Sequence, residues 1–181
     1  MTAATLPRVM IASDDAFELT TMSAALRLHG INIVGEAGNK IIAENTFRSL
    51  QPEVLIIDLM FASADAVEMI TTLRKTNPSL GIVLMTACPD LRLLGVSEKS
   101  LPKGVQIVLK RSVADLSVLS FAILQSLDSS SINSSAQWVT THISLHENAF
   151  LTILSDFTDI QVATLRLVAQ GLSNSEIAKV R

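Results

Sequence analysis

Val54-Leu-Ile-Ile-Asp58 decides the fold. Four aliphatic residues run without polar interruption into a single carboxylate, the pattern of a strand buried on both faces. Working outward, Val9-Met-Ile-Ala-Ser-Asp-Asp15 and Ile82-Val-Leu-Met-Thr86 repeat it, and Val105-Gln-Ile-Val-Leu-Lys110 ends in an ammonium. Helical patterns lie between. Asp15 caps a helix carrying Phe17, Met22, Ala25 and Leu26 inward, with Gly30 as its stop. Ile31 to Glu36 is a short second strand. Lys40 to Leu50 is a helix with Ile41, Ile42, Phe47 and Leu50 inward. Asp65 to Thr76 is a third helix, ended by Asn77-Pro78. Pro89-Asp90 opens a short helix, and Ser112 to Leu127 is the last. Five βα units in a row predict a doubly wound, five-stranded parallel sheet of α/β class. Parallel strands bring their carboxyl ends to one edge, where such folds build sites.

The totals narrow the possibilities. The chain has 181 residues, 49% hydrophobic and 17% charged, with a formal net charge of −3. A sizeable core is predicted, and a chain coated in basic patches for nucleic acid is excluded. The single Cys88 rules out an internal disulfide and suits a reducing compartment. No apolar run reaches the length of a membrane span. The N-terminus lacks a basic segment followed by an apolar one, so no signal peptide is predicted. The expectation is a cytoplasmic protein without a membrane partner.

Three segments organise the chain: residues 1–127 as the α/β domain, 128–156 as a linker with a helix, and 157–181 as a partial all-α segment. Leu127-Asp-Ser-Ser-Ser-Ile-Asn-Ser-Ser-Ala136 is too polar and small to pack by itself. A helix carrying Leu145, Ala149, Phe150, Ile153 and Leu154 follows Trp138. His142 and His146 are four apart and precede Glu147, a weak metal signal.

The strand ends carry the chemistry. Asp14, Asp15 and Asp58 suit Mg²⁺, which takes one or two carboxylates together with water and phosphate oxygens. Asp58 is the central carboxylate, able to attack phosphorus and form an aspartyl phosphate. Lys110 neutralises charge on the transferred oxygens, and Thr86 donates a hydrogen bond to one of them. Singly, each of these residues is more often a helix cap or a solvated strand end. In order, at successive strand ends, they form a phosphoryl-transfer constellation. The glycines of a dinucleotide-binding turn and the Gly-x-x-x-x-Gly-Lys phosphate loop are both missing.

This pattern resembles the receiver domain of bacterial two-component response regulators, over about residues 8–127. The resemblance rests on Asp14, Asp15, Asp58, Thr86 and Lys110, and on Asp58-Leu-Met-Phe-Ala-Ser-Ala-Asp-Ala-Val-Glu68. It implies a phosphoacceptor at Asp58. It also implies Mg²⁺ on Asp15, Asp58 and the Met60 backbone carbonyl, with Asp14 acting through water. The phosphoryl donor is implied to be a sensor histidine kinase or a small acyl phosphate. Departures stand at Ala62, Ser63 and Ala66 for the usual Pro and Gly residues, at Ile107 for the aromatic switch, and at Arg111 for a common proline.

The helix Ser112 to Leu127 is apolar over more than one face. Leu116, Leu119, Ile123 and Leu127 form its inward stripe, with Val113, Val118, Phe121 and Ala122 beyond it. A homodimer through this helix is one reading; a wide core face is the other. Further on, Leu165-Arg-Leu-Val-Ala-Gln-Gly-Leu-Ser-Asn-Ser-Glu-Ile-Ala178 resembles the start of the LuxR-type (NarL/FixJ-like) helix-turn-helix domain. Thr158 caps the first helix, whose apolar stripe is read as Ile160, Ala163, Leu167 and Val168. Ser173 and Glu176 form a capping box on the second. The recognition helix of that family falls after Arg181, so DNA binding is expected only if the full-length chain continues past it. The leading reading is a phosphorylation-controlled transcriptional regulator and not an enzyme. The alternative is a receiver-type interaction module that titrates a kinase or partner without binding DNA. A small hydrolase using Asp58 shares the chemistry but needs a substrate pocket that the sequence does not indicate.

Overall fold

In the computed structural model, residues 6–139 and 156–180 are described. They divide into two units. The first comprises residues up to Ala87 together with Leu101–Thr140, and the second comprises Cys88–Ser100 with Thr141–Arg181.

The first unit is a parallel sheet with helices on both faces. Its elements are β1 (Arg8–Ala12), α1 (Ala16–Leu28), β2 (Asn32–Ala37), α2 (Lys40–Leu50), β3 (Val54–Asp58), the single turn α3 (Phe61–Ala64), α4 (Ala66–Thr76), β4 (Gly81–Thr86) and β5 (Gln106–Leu109). α5 (Leu116–Leu127), the short α6 (Ser129–Ile132) and β6 (Gln137–Trp138) complete it. Strand order is β2-β1-β3-β4-β5-β6, every pair parallel. The order reverses between β1 and β3, the switch point where doubly wound sheets open a crevice at the strands' carboxyl ends.

β3 and β4 are buried along their whole length, as their unbroken aliphatic runs require. Alternation divides their side chains between two layers. Val9, Ile11, Ile56, Val83, Met85 and Val108 join one core cluster with Leu26 of α1 and Leu119 and Ile123 of α5. Gly81 permits the close approach of α5, because a Cβ there would run into Ser126 Oγ. On the other layer, a Cβ at Gly35 would meet Thr46 Cγ2 of α2 at 2.7 Å. Burying the fully enclosed Leu26, Leu55 and Ile57 contributes about 2 kcal/mol each.

The structure corrects several expectations. The sheet has six strands, not five. The polar stretch after Leu127 is not a free linker but packs as α6 and β6. Asp128 caps α6, Gly104 donates its N–H to Ser134 O, and β6 adds to the edge of β5 through Gln137 N–H to Val105 O and Val139 N–H to Ile107 O. Phe17 is 81% exposed and Ile41 73% exposed, so neither points inward. α1 buries Leu19, Met22, Ser23 and Leu26 instead, and α2 buries Ala43 and Phe47. α5 starts at Leu116, capped by Asp115, rather than at Ser112, because Lys110–Ala114 winds as a 3₁₀ turn first. Ala62 holds φ 55°, a left-handed conformation where the resemblance places a proline.

In the second unit, the segment after β4 forms a 3₁₀ turn, Leu91–Leu94, in place of the short helix expected at Pro89-Asp90. It packs against the helix Asp159–Ala169. Arg92 Nη1 donates to Phe157 O at 3.0 Å and to Asp159 Oδ1 at 3.1 Å. Thr158 caps that helix with a full Thr158–Gln161 capping box, and Asn174–Val180 follows. Ser173 and Glu176 bond reciprocally as expected. The buried side chains of these two helices are Val162 and Ile177, whereas Ile160 and Val168 are exposed. The apolar residues wrap the helix too widely for their spacing to name its inner face. His142, His146, Glu147 and the helix read around Leu145–Leu154 lie outside the described residues.

Candidate functional site

Register alone assembles most of the site. Asp58 pairs with Met85, and Thr86 pairs with Leu109 just before Lys110. Ala12 pairs with Ile57, so the next residues, Ser13 and Asp58, close the β1–β3 switch point. Asp58 is 6% exposed and Thr86 is 1% exposed, both held at strand ends. Burying a carboxylate requires a charge partner and hydrogen bonds. Lys110 Nζ donates to Asp58 Oδ2 at 2.6 Å, and the Met60 N–H donates to Oδ1 at 3.1 Å. Asp58 and Lys110, read from sequence as a functional pair, are thus in direct contact, and strand register places Thr86 beside them.

Glu18 was not foreseen. Its Oε2 accepts a hydrogen bond from Lys110 Nζ at 2.8 Å and from Ser13 Oγ at 2.9 Å. Burial pushes the Lys110 ammonium toward the neutral form, but its hydrogen bonds to Asp58 and Glu18 outweigh that and hold its pKa above the ordinary lysine value. No motif marks Glu18, since an acid in the first turn of a helix is usually explained by the helix dipole.

Asp14 and Asp15 sit differently from expectation. Both are exposed. Asp15 Oδ1 accepts the Glu18 N–H at 2.9 Å as the cap of α1. The buried strand-end position belongs to Ser13, fully enclosed, whose N–H bonds to Ala37 O. The acid pair is thereby displaced one residue along the chain into the helix start. Among the described residues, no three Asp, Glu, His or Cys side chains converge closely enough to hold a metal ion. Asp58 is the buried carboxylate of the three read from sequence, and Asp14 and Asp15 stand exposed at the start of α1. Asp58, Glu18, Lys110, Ser13 and Thr86 build a polar pocket of two carboxylates, one ammonium and two hydroxyl-bearing residues. A cleft of about 740 Å³ lies elsewhere, between α2 and α4, lined by residues such as Phe47, Met69 and Leu73 and by none of the pocket residues.

Comparison with known protein families finds no matching family model. Individual relatives do exist. The probable transcriptional regulatory protein TcrX of Mycobacterium tuberculosis is 27% identical over 144 residues, covering 78% of this chain and 59% of that protein. The response regulator protein VraR of Staphylococcus epidermidis is 26% identical over 149 residues, covering 82% of this chain and 68% of its own. Among solved structures, RcsB of Salmonella enterica serovar Typhimurium bound to the promoter P1flhDC superposes with a TM-score of 0.60 at 24% identity, covering 97% of this chain and 83% of that one. A LuxR-family DNA-binding response regulator from Staphylococcus aureus gives a TM-score of 0.57 at 19% identity, covering 68% of this chain and all of its own. At those identities the structures speak to the fold alone. The chain is thus similar in sequence to bacterial response regulators and similar in fold to RcsB and to a LuxR-family response regulator.

Proposed function

We propose that this protein accepts a phosphoryl group on Asp58 and uses it to control transcription within the cytoplasm. The observation that carries this is a carboxylate only 6% exposed, at a strand end of the switch point, paired to a lysine at 2.6 Å. A buried carboxylate in that place is costly unless the fold uses it. In the transfer, an Asp58 oxygen attacks phosphorus, a bond to the donor's leaving group breaks, and the leaving group departs with the electron pair. Lys110 stabilises the negative charge on the equatorial oxygens. Thr86, at the adjacent strand end, takes a hydrogen-bonding role toward the same oxygens. The donor is a sensor histidine kinase or a small acyl phosphate. The Phe121 and Leu124 side chains, 55% and 60% exposed on α5, are the proposed homodimer surface.

The test is incubation with acetyl phosphate, with Mg²⁺ and with a chelator, followed by intact mass measurement beside Asp58→Asn. One phosphoryl adduct on the wild-type chain, lost in the variant, is the expected result. An adduct retained in the variant, or none under any condition, overturns the reading.

A further inference from the structure

Glu18 and Lys110 are separated by 92 residues of sequence, yet they share a hydrogen bond inside the phosphoacceptor pocket. The Lys110 ammonium serves two carboxylates at once, at 2.6 Å from Asp58 and 2.8 Å from Glu18. The three side chains are 7%, 21% and 27% exposed for Asp58, Glu18 and Lys110 respectively, so water screens them only in part. Two carboxylates against one ammonium leave this cluster with a net negative charge before any phosphoryl donor arrives. The donor is itself an anion.

We propose that Glu18 is a positioning residue that restrains phosphoryl transfer: it holds Lys110 in the resting pocket and gives it up as the phosphoryl group lands on Asp58. The inference rests on Asp58 being the phosphoacceptor. The transfer makes an oxygen–phosphorus bond to Asp58 and breaks the bond from phosphorus to the acyl oxygen. The electron pair leaves with the acetate, and no proton moves. Asp58 thereby exchanges a singly charged carboxylate for a more highly charged acyl phosphate. Lys110 has three N–H donors, and two are already committed. The growing charge on the phosphoryl oxygens draws the ammonium toward them, and every bond kept to Glu18 opposes that shift. Ser13 Oγ, 2.9 Å from the same Glu18 oxygen, gives the carboxylate a second anchor. It keeps Glu18 in place when the lysine leaves.

Substitution separates charge from geometry. Glu18→Gln preserves shape and leaves an amide oxygen to accept from Lys110, but removes the charge. On this proposal the initial rate of Asp58 adduct formation rises by roughly tenfold, the effect of one charge removed at short range in a partly screened site. The gain is larger with dianionic acetyl phosphate than with the less charged phosphoramidate, a dependence that a purely structural role does not produce. If Glu18 merely orients a productive lysine, the Gln variant is equally fast or slower with both donors, and the proposal is overturned. Equal rates in wild type and variant defeat this inference and leave the phosphoacceptor intact. No Asp58-dependent adduct in either protein defeats both together. The rates are read by intact mass on the full chain, with Glu18→Ala as a second variant expected to exceed the wild-type rate as well.

Discussion

Replacing Lys110 with methionine tests the electrostatic frame of the pocket. The substitution keeps much of the aliphatic stem and removes the ammonium that bonds Asp58 at 2.6 Å and Glu18 at 2.8 Å. Asp58, 6% exposed, keeps only the Met60 N–H. Charge-assisted hydrogen bonds contribute about 1.5–3 kcal/mol each, and an abandoned buried carboxylate adds its desolvation cost, so Lys110→Met should destabilise the domain by about 3 kcal/mol. That corresponds to a fall in Tm on the order of 10 °C. Asp58→Asn alone should cost about 1 kcal/mol, because the amide keeps the shape and Lys110 keeps Glu18. The double variant should cost about 2 kcal/mol, since the amide no longer needs a countercharge, leaving a coupling of about 2 kcal/mol. Urea unfolding followed by Trp138 fluorescence measures all four corners, because the only tryptophan lies on β6 of this unit. pH gives an independent reading. The Lys110 pKa is raised, so its contribution is complete below the ordinary value of 10.5 and fades as pH climbs through the higher folded value. That alkaline step should vanish in Lys110→Met. Additive single effects, agreeing within about 0.5 kcal/mol, would refute the reasoning.

Other outcomes follow from particular residues. Ala62→Gly should stabilise the first unit by about 1 kcal/mol, because φ 55° strains an alanine and not a glycine; thermal melts check it. Thr158→Ala should cost the second unit about 1 kcal/mol by removing its helix cap, seen as faster proteolysis near residue 158. Burial raises the Asp90 carboxyl pKa, but hydrogen bonds from Arg92 outweigh it and hold the group below its ordinary 3.8. Its stabilisation is therefore present above that value and lost as pH falls through the lower folded one, and Arg92→Ala should abolish this acid sensitivity in hydrogen exchange of residues 88–100. Phe121→Ser combined with Leu124→Ser should leave the fold intact and abolish any concentration-dependent dimer seen in sedimentation.

The strand ends were legible in the sequence because parallel strands buried on both faces must be continuously apolar, so the first polar residue marks the edge. Val54–Asp58 and Gly81–Thr86 illustrate this. The contact between Asp58 and Lys110 follows from register and needs no further information. The acid pair sits one residue away from the buried strand end. Asp14-Asp15 looks like a pocket pair until Ser13 is seen to occupy the buried position, and a one-residue offset moves a side chain from inside to outside. Glu18 was hidden for a different reason: its partner is 92 residues away, and its own surroundings describe an ordinary helix start. Helix faces failed where apolar residues encircle the helix, as with Phe17 and Ile160, because periodicity ranks faces only when one of them is polar.

The two-residue strand β6 has a consequence for how this protein fails. It covers the outer edge of β5 with a short parallel ladder whose ends are Gln137 N–H to Val105 O and Val139 N–H to Ile107 O. So slight a cover is released at low cost, by proteolysis or by tension on the chain beyond it. β5 then presents a bare row of amides and carbonyls on a strand of sequence Gln-Ile-Val-Leu, with β propensity and no charge of its own. A second molecule in the same state offers the matching edge. A truncation ending before Gln137 should therefore keep the pocket around Asp58 and lose its colloidal stability, so that the segment after Leu127 serves the sheet as a guard against self-association.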